Sequence, residues 1–581
     1  MMKCIPNSVF FISFLACSAV LNAADSVEKA ASSSAKADKP NILLIVADDL
    51  GFSDLGAFGG EIETPNLDAL ATSGIRLTNF YASPTCSPTR AMLLTGQDNH
   101  RVGMGAMAEA LRSFKMLQGR PGYEGYLNPE TTTIAEALSG GGYRTYMTGK
   151  WHLGNQPELQ PTAHGFERAF VLSQGGADHF GAGQNGGPAL QPATYNENGS
   201  PAQFPVGTYS SDFFAQRLVD YLSEEDDSDR PFFAYLAFTA PHWPLQAPKA
   251  LIAKYKGRYD AGPDALRSAR LRRMEELRLL NDASQSANLV GLDDWSALSE
   301  EQRKIQSRSM EIYAAMVDSM DHNVGRVLDH LRATGEYDNT VIIFMSDNGA
   351  EGIEPGALIK RTSNSTAQEH KAKVLATIEL GNSDLSKMGT TESFITYGSQ
   401  WAQAAMAPFR RFKGAIEEGG VRVPAFVSGP GVKGQRIIDS PLSVRDIMPT
   451  VLDIANTTHD EGSKSEVARV GDISIPSAKS WKPMLEGSVD AVRSETDALA
   501  WEFHLNRGVR VGDWKAVYGK GASAHPGDPK APSSWKLYNL AVDAGETQDV
   551  SAENADVLQR LVSLWDSYAQ ENGVFVPGPR K

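Results

Sequence analysis

Four apolar runs in this chain end in side chains that bind ions or move protons. Residues 41–47 (NILLIVA) lead into Asp48 and Asp49, and residues 340–346 lead into Asp347 and Asn348. Residues 143–148 lead into Gly149-Lys150-Trp151-His152, and residues 231–239 into Ala240-Pro241-His242. Three carboxylates and a carboxamide offer only oxygens, the donor set of a hard cation. Lys150 adds a positive charge, and His152 and His242 add groups that titrate near neutral pH. A fifth element centres on Cys86, in Pro84-Thr-Cys-Ser-Pro-Thr-Arg90. Pro88 marks the start of a helix. Cys86 is thereby placed at a helix amino terminus, where free N–H groups favour an anion. Arg90, one turn on, can reach back to the same spot. Such a thiol is positioned for chemistry on an oxyanion.

The elements that must hold these groups follow the pattern of an α/β fold. Short β-rich runs alternate with helical stretches, as in a large, mostly parallel sheet flanked by helices. Ligands of open α/β sheets bind beyond the carboxyl ends of the strands. Four strands delivering acids, Lys and His to that edge therefore predict a site there. The apolar stripe Ile312, Met316, Met320, Val324, Val327, Leu328, Leu331 predicts an amphipathic helix over 311–331, its methionines in the core. The basic run 267–273 reads as a solvated helix face. Residues 351–400 are polar and weakly periodic, an excursion over the site. From about 496 the pattern changes to short strand-like pieces and a last helix near 555–571, a small antiparallel α+β subdomain. The expected organisation is a signal peptide (1–24), a tether (25–39), a catalytic domain (40–495) and the C-terminal subdomain (496–581).

The chain has 581 residues, 41% hydrophobic and 22% charged, which excludes a disordered or fibrous protein. Residues 9–21 form a short apolar run after Lys3, followed by Asn22-Ala23-Ala24, the signature of an exported protein's leader. Bulky Leu15 argues against the alternative of lipidation at Cys17. The tether 25–39 is rich in Ala, Ser and Lys. Without the leader, 54 basic side chains face 70 acidic ones. That acidic balance argues against nucleic acid or an anionic membrane as partner. No later run is long enough to span a bilayer. Of three cysteines, Cys4 and Cys17 leave with the leader and Cys86 remains alone, unable to form an internal disulfide.

These blocks together resemble the type I sulfatases of the alkaline phosphatase superfamily, and most closely the bacterial arylsulfatases. Cys86-Ser-Pro-Thr-Arg90 matches their C-x-P-x-R signature. Further blocks follow in family order: Ala47-Asp-Asp-Leu-Gly51, Gly149-Lys-Trp-His-Leu-Gly154, Ala240-Pro-His-Trp-Pro244, Ser346-Asp-Asn-Gly349, Lys413, and Glu418-Gly-Gly-Val-Arg-Val-Pro424. The resemblance runs from about residue 40 to about 575.

The resemblance implies an alkaline-phosphatase-like fold and hydrolysis of sulfate monoesters. It implies that a maturation enzyme converts Cys86 to formylglycine, an aldehyde. Hydrated, the aldehyde carries two hydroxyls: one attacks sulfur, and the other, once deprotonated, expels sulfate and restores the aldehyde. An unmodified thiol could attack but could not be released this way. The resemblance further implies one Ca²⁺ held by Asp48, Asp49, Asp347, Asn348 and the residue at position 86. Arg90 and Lys150 would hold the hydrated aldehyde, and His152 would be the base that collapses the sulfated intermediate. His242 and Lys413 would bind sulfate and assist the leaving oxygen. His100, His164, His179, His459 and His504 read as structural, with His179 a candidate for the substrate mouth. Aryl or alkyl sulfates are the favoured substrates. The alternatives are a sulfated carbohydrate, a phosphate or phosphonate ester, and a catalytically inactive binding protein on the same fold. The expected location is periplasmic or extracellular.

Overall fold

The protein's structure is a computed structural model that describes residue 1 and residues 39–181, 193–224, 229–280, 286–289, 295–353, 381–457, 466–519 and 534–577. The expected leader after residue 1, most of the tether, Cys17 and His459 lie outside the described residues, as do residues 354–380 of the polar excursion.

β1 (Asn41–Ala47) is buried along its whole length, as seven consecutive mostly apolar residues require. Its alternate residues face opposite sides of the sheet. Leu43, Ile45 and Ala47 join one apolar core, and Ile42, Leu44 and Val46 join a second. The first core is covered by the helix Glu300–Ala333, which contains the predicted amphipathic stretch and extends it at both ends. Ser299 and Gln302 close its first turn as a reciprocal cap. The second core is covered by the helices Cys86–Thr95, Ile134–Gly140 and Ile447–Ile454.

β1 lies in the middle of a ten-stranded sheet. On one side it pairs in parallel with β9 (Thr340–Ser346). On the other it pairs in parallel with β8 (Phe232–Ala237), then β4 (Arg144–Lys150), then β5 (Arg168–Leu172). Beyond this parallel centre the sheet is mixed. β10 (Ala425–Ser428) runs antiparallel to β9 and to β2 (Ile75–Leu77). β11 (Arg436–Ile438) runs parallel to β2, and β6 (Tyr195–Glu197) and β7 (Ser200–Ala202) continue antiparallel after β5.

A separate four-stranded antiparallel sheet lies near the C-terminus: Ala498–Phe503, Asn506–Val511, Trp514–Gly519 and Ser534–Asn539. The helix Ala555–Asn572 packs on it, and the hairpin strands Glu466–Val470 and Ile473–Pro476 share the same core. Buried ion pairs join this unit to the rest. Lys515 Nζ lies 2.8 Å from Glu418 and 3.2 Å from Glu546. His100 bridges Asp98 at 2.9 Å and Glu502 at 3.1 Å, with Tyr568 donating to Asp98. Burial alone would lower the His100 pKa, but hydrogen bonds to the two carboxylates raise it to about 9 from 6.5. The stabilisation from this bridge is complete below about pH 6.5 and is lost as pH rises through 9. His100→Gln should therefore flatten the fall in the denaturation midpoint between pH 7 and 9.5, and should cost about 3 kcal/mol at pH 6.

One sequence expectation is corrected. The helix Pro263–Glu276 does not present its whole basic run to solvent. Arg267 is buried and donates to the carbonyls of Ala287, Gln403 and Pro408. Arg270 is buried against Asp54 and Glu61. Only Arg272 and Arg273 lie on the exposed face. Unpaired loop carbonyls and two acids drew in the residues that the run's composition assigned to water.

Candidate functional site

Strand register decides where the acids go. Ala47 of β1 pairs with Ser346 of β9, so Asp48 and Asp347 leave the sheet side by side. Val46 pairs with Ala237 of β8, and Ala237 pairs with Gly149 of β4, which brings Lys150 to the same edge. Gly149 has φ +111°, and a Cβ there would meet the Ala237 carbonyl at 1.7 Å, so only glycine lets these strands close up. Asp49 (φ +70°) and His152 (φ +59°) adopt left-handed backbone conformations, uncommon outside glycine although Asp and His enter them more readily than most residues. Strain of this kind is held where surrounding contacts over-determine it.

The helix Cys86–Thr95 runs into this edge with every residue buried. Cys86 is its first residue, and its Sγ lies 3.6 Å from Asp48 Oδ1 and 3.9 Å from Asp49 Oδ1. Burial pushes its pKa well up, although Lys150 and Lys413 oppose the shift. Arg90 donates from Nε and Nη2 to Asp347 Oδ2 at 3.0 and 2.8 Å, and from Nη1 to the Lys150 carbonyl at 2.9 Å. Lys150 Nζ grips both oxygens of Asp48 at 2.8 and 2.7 Å. Lys413 Nζ reaches Asp49 at 2.8 Å and Glu351 at 3.4 Å. Burial drives the Asp48 pKa up to about 8, whereas at Asp49 Lys413 and His242 outweigh burial and hold it at about 2.

The two site histidines are fixed differently. His242 Nδ1 lies 2.6 Å from the Trp243 carbonyl, and Nε2 faces Asp49 at 3.6 Å. His152 Nε2 lies 3.3 and 3.2 Å from the two oxygens of Glu109, while its buried Nδ1 has no partner among the described residues. Gly175 lies against the ring, where a Cβ would come within 2.6 Å. Burial lowers the pKa of both histidines, most strongly at His242. All the predicted site residues therefore converge. His179 does not join them directly. Buried, it bonds Ser210 at 2.7 Å and the His242 carbonyl at 3.0 Å, so it supports the loop that carries His242. His100 is structural, as expected. Glu109 and Glu351 were missed. Neither lies in a recognisable block, and only the fold brings them to His152 and Lys413.

The donors fit a hard dication. Ligand atoms of Asp48, Asp49, Cys86 and His242 lie within 4.8 Å of one another. Asn348 Nδ2 donates to Asp49 Oδ1 at 2.6 Å, which fixes the carboxamide, and leaves Oδ1 buried without a hydrogen-bond partner. A buried orphan acceptor beside two carboxylates is what a cation would satisfy. With the three carboxylates ionised, as binding of a cation requires, Asp48, Asp49 and Asp347 are balanced by Arg90, Lys150 and Lys413, so a dication would leave an excess of positive charge to receive an anion. Cys86 and His242 are not arranged as two sets of nitrogen and sulfur ligands for a zinc pair.

Comparison with known proteins agrees with this chemistry. The Sulfatase family matches residues 40–457. An uncharacterised sulfatase of Schizosaccharomyces pombe is 43% identical over 556 residues, covering 93% of this chain and 95% of that one. An arylsulfatase of Klebsiella aerogenes is 36% identical over 424 residues, covering 72% and 88%. Among solved structures, that of Ps i-CgsB superimposes with a TM-score of 0.63 at 23% identity, covering 92% of this chain and 94% of that one, a likeness of fold.

Proposed function

Because the chain belongs to the sulfatase family and is a sulfuric ester hydrolase, we infer that it cleaves small aryl or alkyl sulfates, using formylglycine made from Cys86 and one Ca²⁺. The observation that carries this reading is the placement of Cys86. A lone thiol heads a buried helix, within 4 Å of two carboxylates and among three cationic side chains.

Formylglycine supplies, when hydrated, a hydroxyl nucleophile and a second hydroxyl for release of sulfate. Ca²⁺ supplies Lewis-acid polarisation, and Asp48, Asp49, Asp347 and Asn348, with the side chain at position 86, are the residues to hold it. Arg90 and Lys150 restrain the group at position 86 and offset negative charge developing on it. His152, kept neutral by burial, takes the proton from that group. Lys413, held protonated by Asp49 and Glu351, and His242, anchored through the Trp243 carbonyl, bind the sulfate oxygens, one of them protonating the leaving oxygen.

Glu109 orients His152. Glu109→Ala should lower kcat about tenfold, less than the roughly 10²–10⁴-fold for outright loss of a general base, because His152 remains but is less firmly held. It should also move the acid limb of the pH–rate profile to lower pH, because a carboxylate favours the charged imidazole and its removal disfavours it. Glu109→Gln, which keeps an acceptor for Nε2–H, should recover most of kcat but not the limb. An unmoved limb in both variants would contradict this role.

Residues 1–24 support export to the periplasm or beyond, and maturation at Cys86 requires a formylglycine-generating partner. Among the described residues no helix is long and apolar enough to cross a membrane. The test of function is a panel of aryl sulfates, matched aryl phosphates and sulfated sugars, assayed on matured enzyme with Ca²⁺. The expected result is fastest turnover of aryl sulfates; a strong preference for phosphates would overturn the reading.

A further inference from the structure

The segment that follows β5 passes against both site histidines. Its start is tied to the strand end that carries His152, because the Trp151 N–H donates to the Leu172 carbonyl at 2.9 Å. Gly175 then lies on the His152 ring and Gly176 on the His242 ring. A Cβ on Gly175 would come within 2.6 Å of His152 Cε1 and 2.9 Å of Nε2. A Cβ on Gly176 would come within 3.0 Å of His242 Cε1 and 3.1 Å of Nδ1. Neither glycine has φ in the left-handed region, so the backbone itself would accept any L-residue. What glycine supplies at these two positions is space against the rings.

The segment is held on both sides of the glycines. The Ser173 N–H donates to the Thr194 carbonyl at 2.9 Å, and the Gln174 side chain exchanges hydrogen bonds with Thr194 at 2.8 and 2.7 Å. On the far side the His179 N–H donates to Gln246 Oε1 at 2.8 Å, and Gln246 Nε2 donates to Asp178 Oδ2 at 2.8 Å. Bulk added between these anchors therefore displaces a ring before it displaces the segment. The rings differ in how firmly they are held. His242 is fixed through Nδ1 to the Trp243 carbonyl, and His179 supports its own carbonyl. His152 is held by Glu109, whose side chain is 50% exposed, so its ring is the one that yields.

We propose that Gly175 and Gly176 are positioning residues that set the gap between His152 and His242, each controlling a different half of the reaction. The assignment rests on the sulfatase reading, in which His242 acts while the phenol departs and His152 acts afterwards, when enzyme-bound sulfate is released. A methyl group at position 175 pushes the His152 ring back by on the order of 1 Å, the shortfall from ordinary contact at about 3.5–4.0 Å. It slows release of sulfate and leaves phenol departure alone. A methyl group at position 176 meets a milder contact at the better-held ring, and it acts on phenol departure.

The test compares Gly175→Ala and Gly176→Ala on matured enzyme with Ca²⁺, using aryl sulfates of graded phenol acidity. Gly175→Ala should lower kcat about 10- to 100-fold, the cost of misplacing a group by about 1 Å. Its kcat/KM should stay within about twofold of wild type, because that ratio covers only the steps through phenol departure, and KM falls with kcat. Phenol should then appear in a stoichiometric burst before the slowed steady state. Gly176→Ala should instead lower kcat/KM, most for the least acidic phenols, without enlarging the burst. An unchanged kcat in Gly175→Ala, or parallel losses of kcat and kcat/KM in both variants, would overturn the proposal. Crystal structures of wild type and Gly175→Ala with unconverted Cys86 make the geometric comparison without turnover. A His152 ring displaced from Glu109 supports the spacing role even if the wild type hydrolyses no sulfate, a result that would count against the sulfatase reading alone. A ring that stays in place overturns the spacing role whatever the kinetics.

Discussion

Cys86→Ala is expected to reduce kcat/KM for an aryl sulfate by on the order of 10⁴-fold or more, the scale at which a covalent nucleophile is lost. The protein should stay folded. Sγ is a small part of a helix whose other nine residues remain packed, so the stability cost is about 1 kcal/mol or less. Activity and stability therefore separate cleanly at this position. Circular dichroism and the thermal midpoint should be close to wild type while turnover vanishes. The local chemistry explains why no neighbour can substitute. Asp48 and Asp49 are bound by Lys150 and Lys413, and Arg90 is bound to Asp347, so these charged neighbours are already committed to one another. Substantial residual turnover in Cys86→Ala would mean that an activated water attacks sulfur directly.

The second large effect concerns the cation. Removing divalent ions with a chelator should abolish turnover, and Ca²⁺ should restore it. Ca²⁺ at a hundredfold excess over its dissociation constant should also stabilise the fold by about 2.7 kcal/mol, a readout independent of catalysis. Asn348→Ala removes the orphan acceptor and frees Asp49 Oδ1 from its 2.6 Å donor. The variant should lose most of the Ca²⁺-dependent rise in thermal midpoint and at least about 100-fold in kcat/KM. A full Ca²⁺-dependent shift in Asn348→Ala would remove this residue from the ligand set. Rescue by Zn²⁺ as good as by Ca²⁺ would contradict the oxygen-donor argument.

The parallel centre of the sheet and the residues at its edge were legible because they are local signals. A continuous apolar strand followed by acids, or a Pro after a Cys with Arg one turn on, is written within ten residues. The C-terminal antiparallel strands were legible for the same reason, each being a short alternating run. What the sequence hid depends on long-range placement. Arg267 and Arg270 look like a solvated stripe, yet Arg270 meets Asp54 and Glu61 from more than 200 residues away. Glu109 is one acid in an unremarkable short helix until the fold sets it against His152. Glu351 follows the Asp347-Asn348 block by only a few residues, but its relation to Lys413 exists only in three dimensions. His179, read as structural with the substrate mouth as an alternative, lies buried behind His242, and its hydrogen bonds make it a support. The antiparallel flanks of the main sheet, β10 with β2 and β6 with β7, involve strands of three or four residues whose sequences carry too little pattern to declare a direction.

The central claim is that Cys86 is not a cysteine in the working enzyme. Mass spectrometry of the Cys86 peptide from active protein purified from its own host tests this most directly. The account predicts formylglycine, with the thiol sulfur lost, an aldehyde oxygen in its place, and reactivity toward a carbonyl reagent. An unmodified cysteine at position 86 in fully active protein would contradict it.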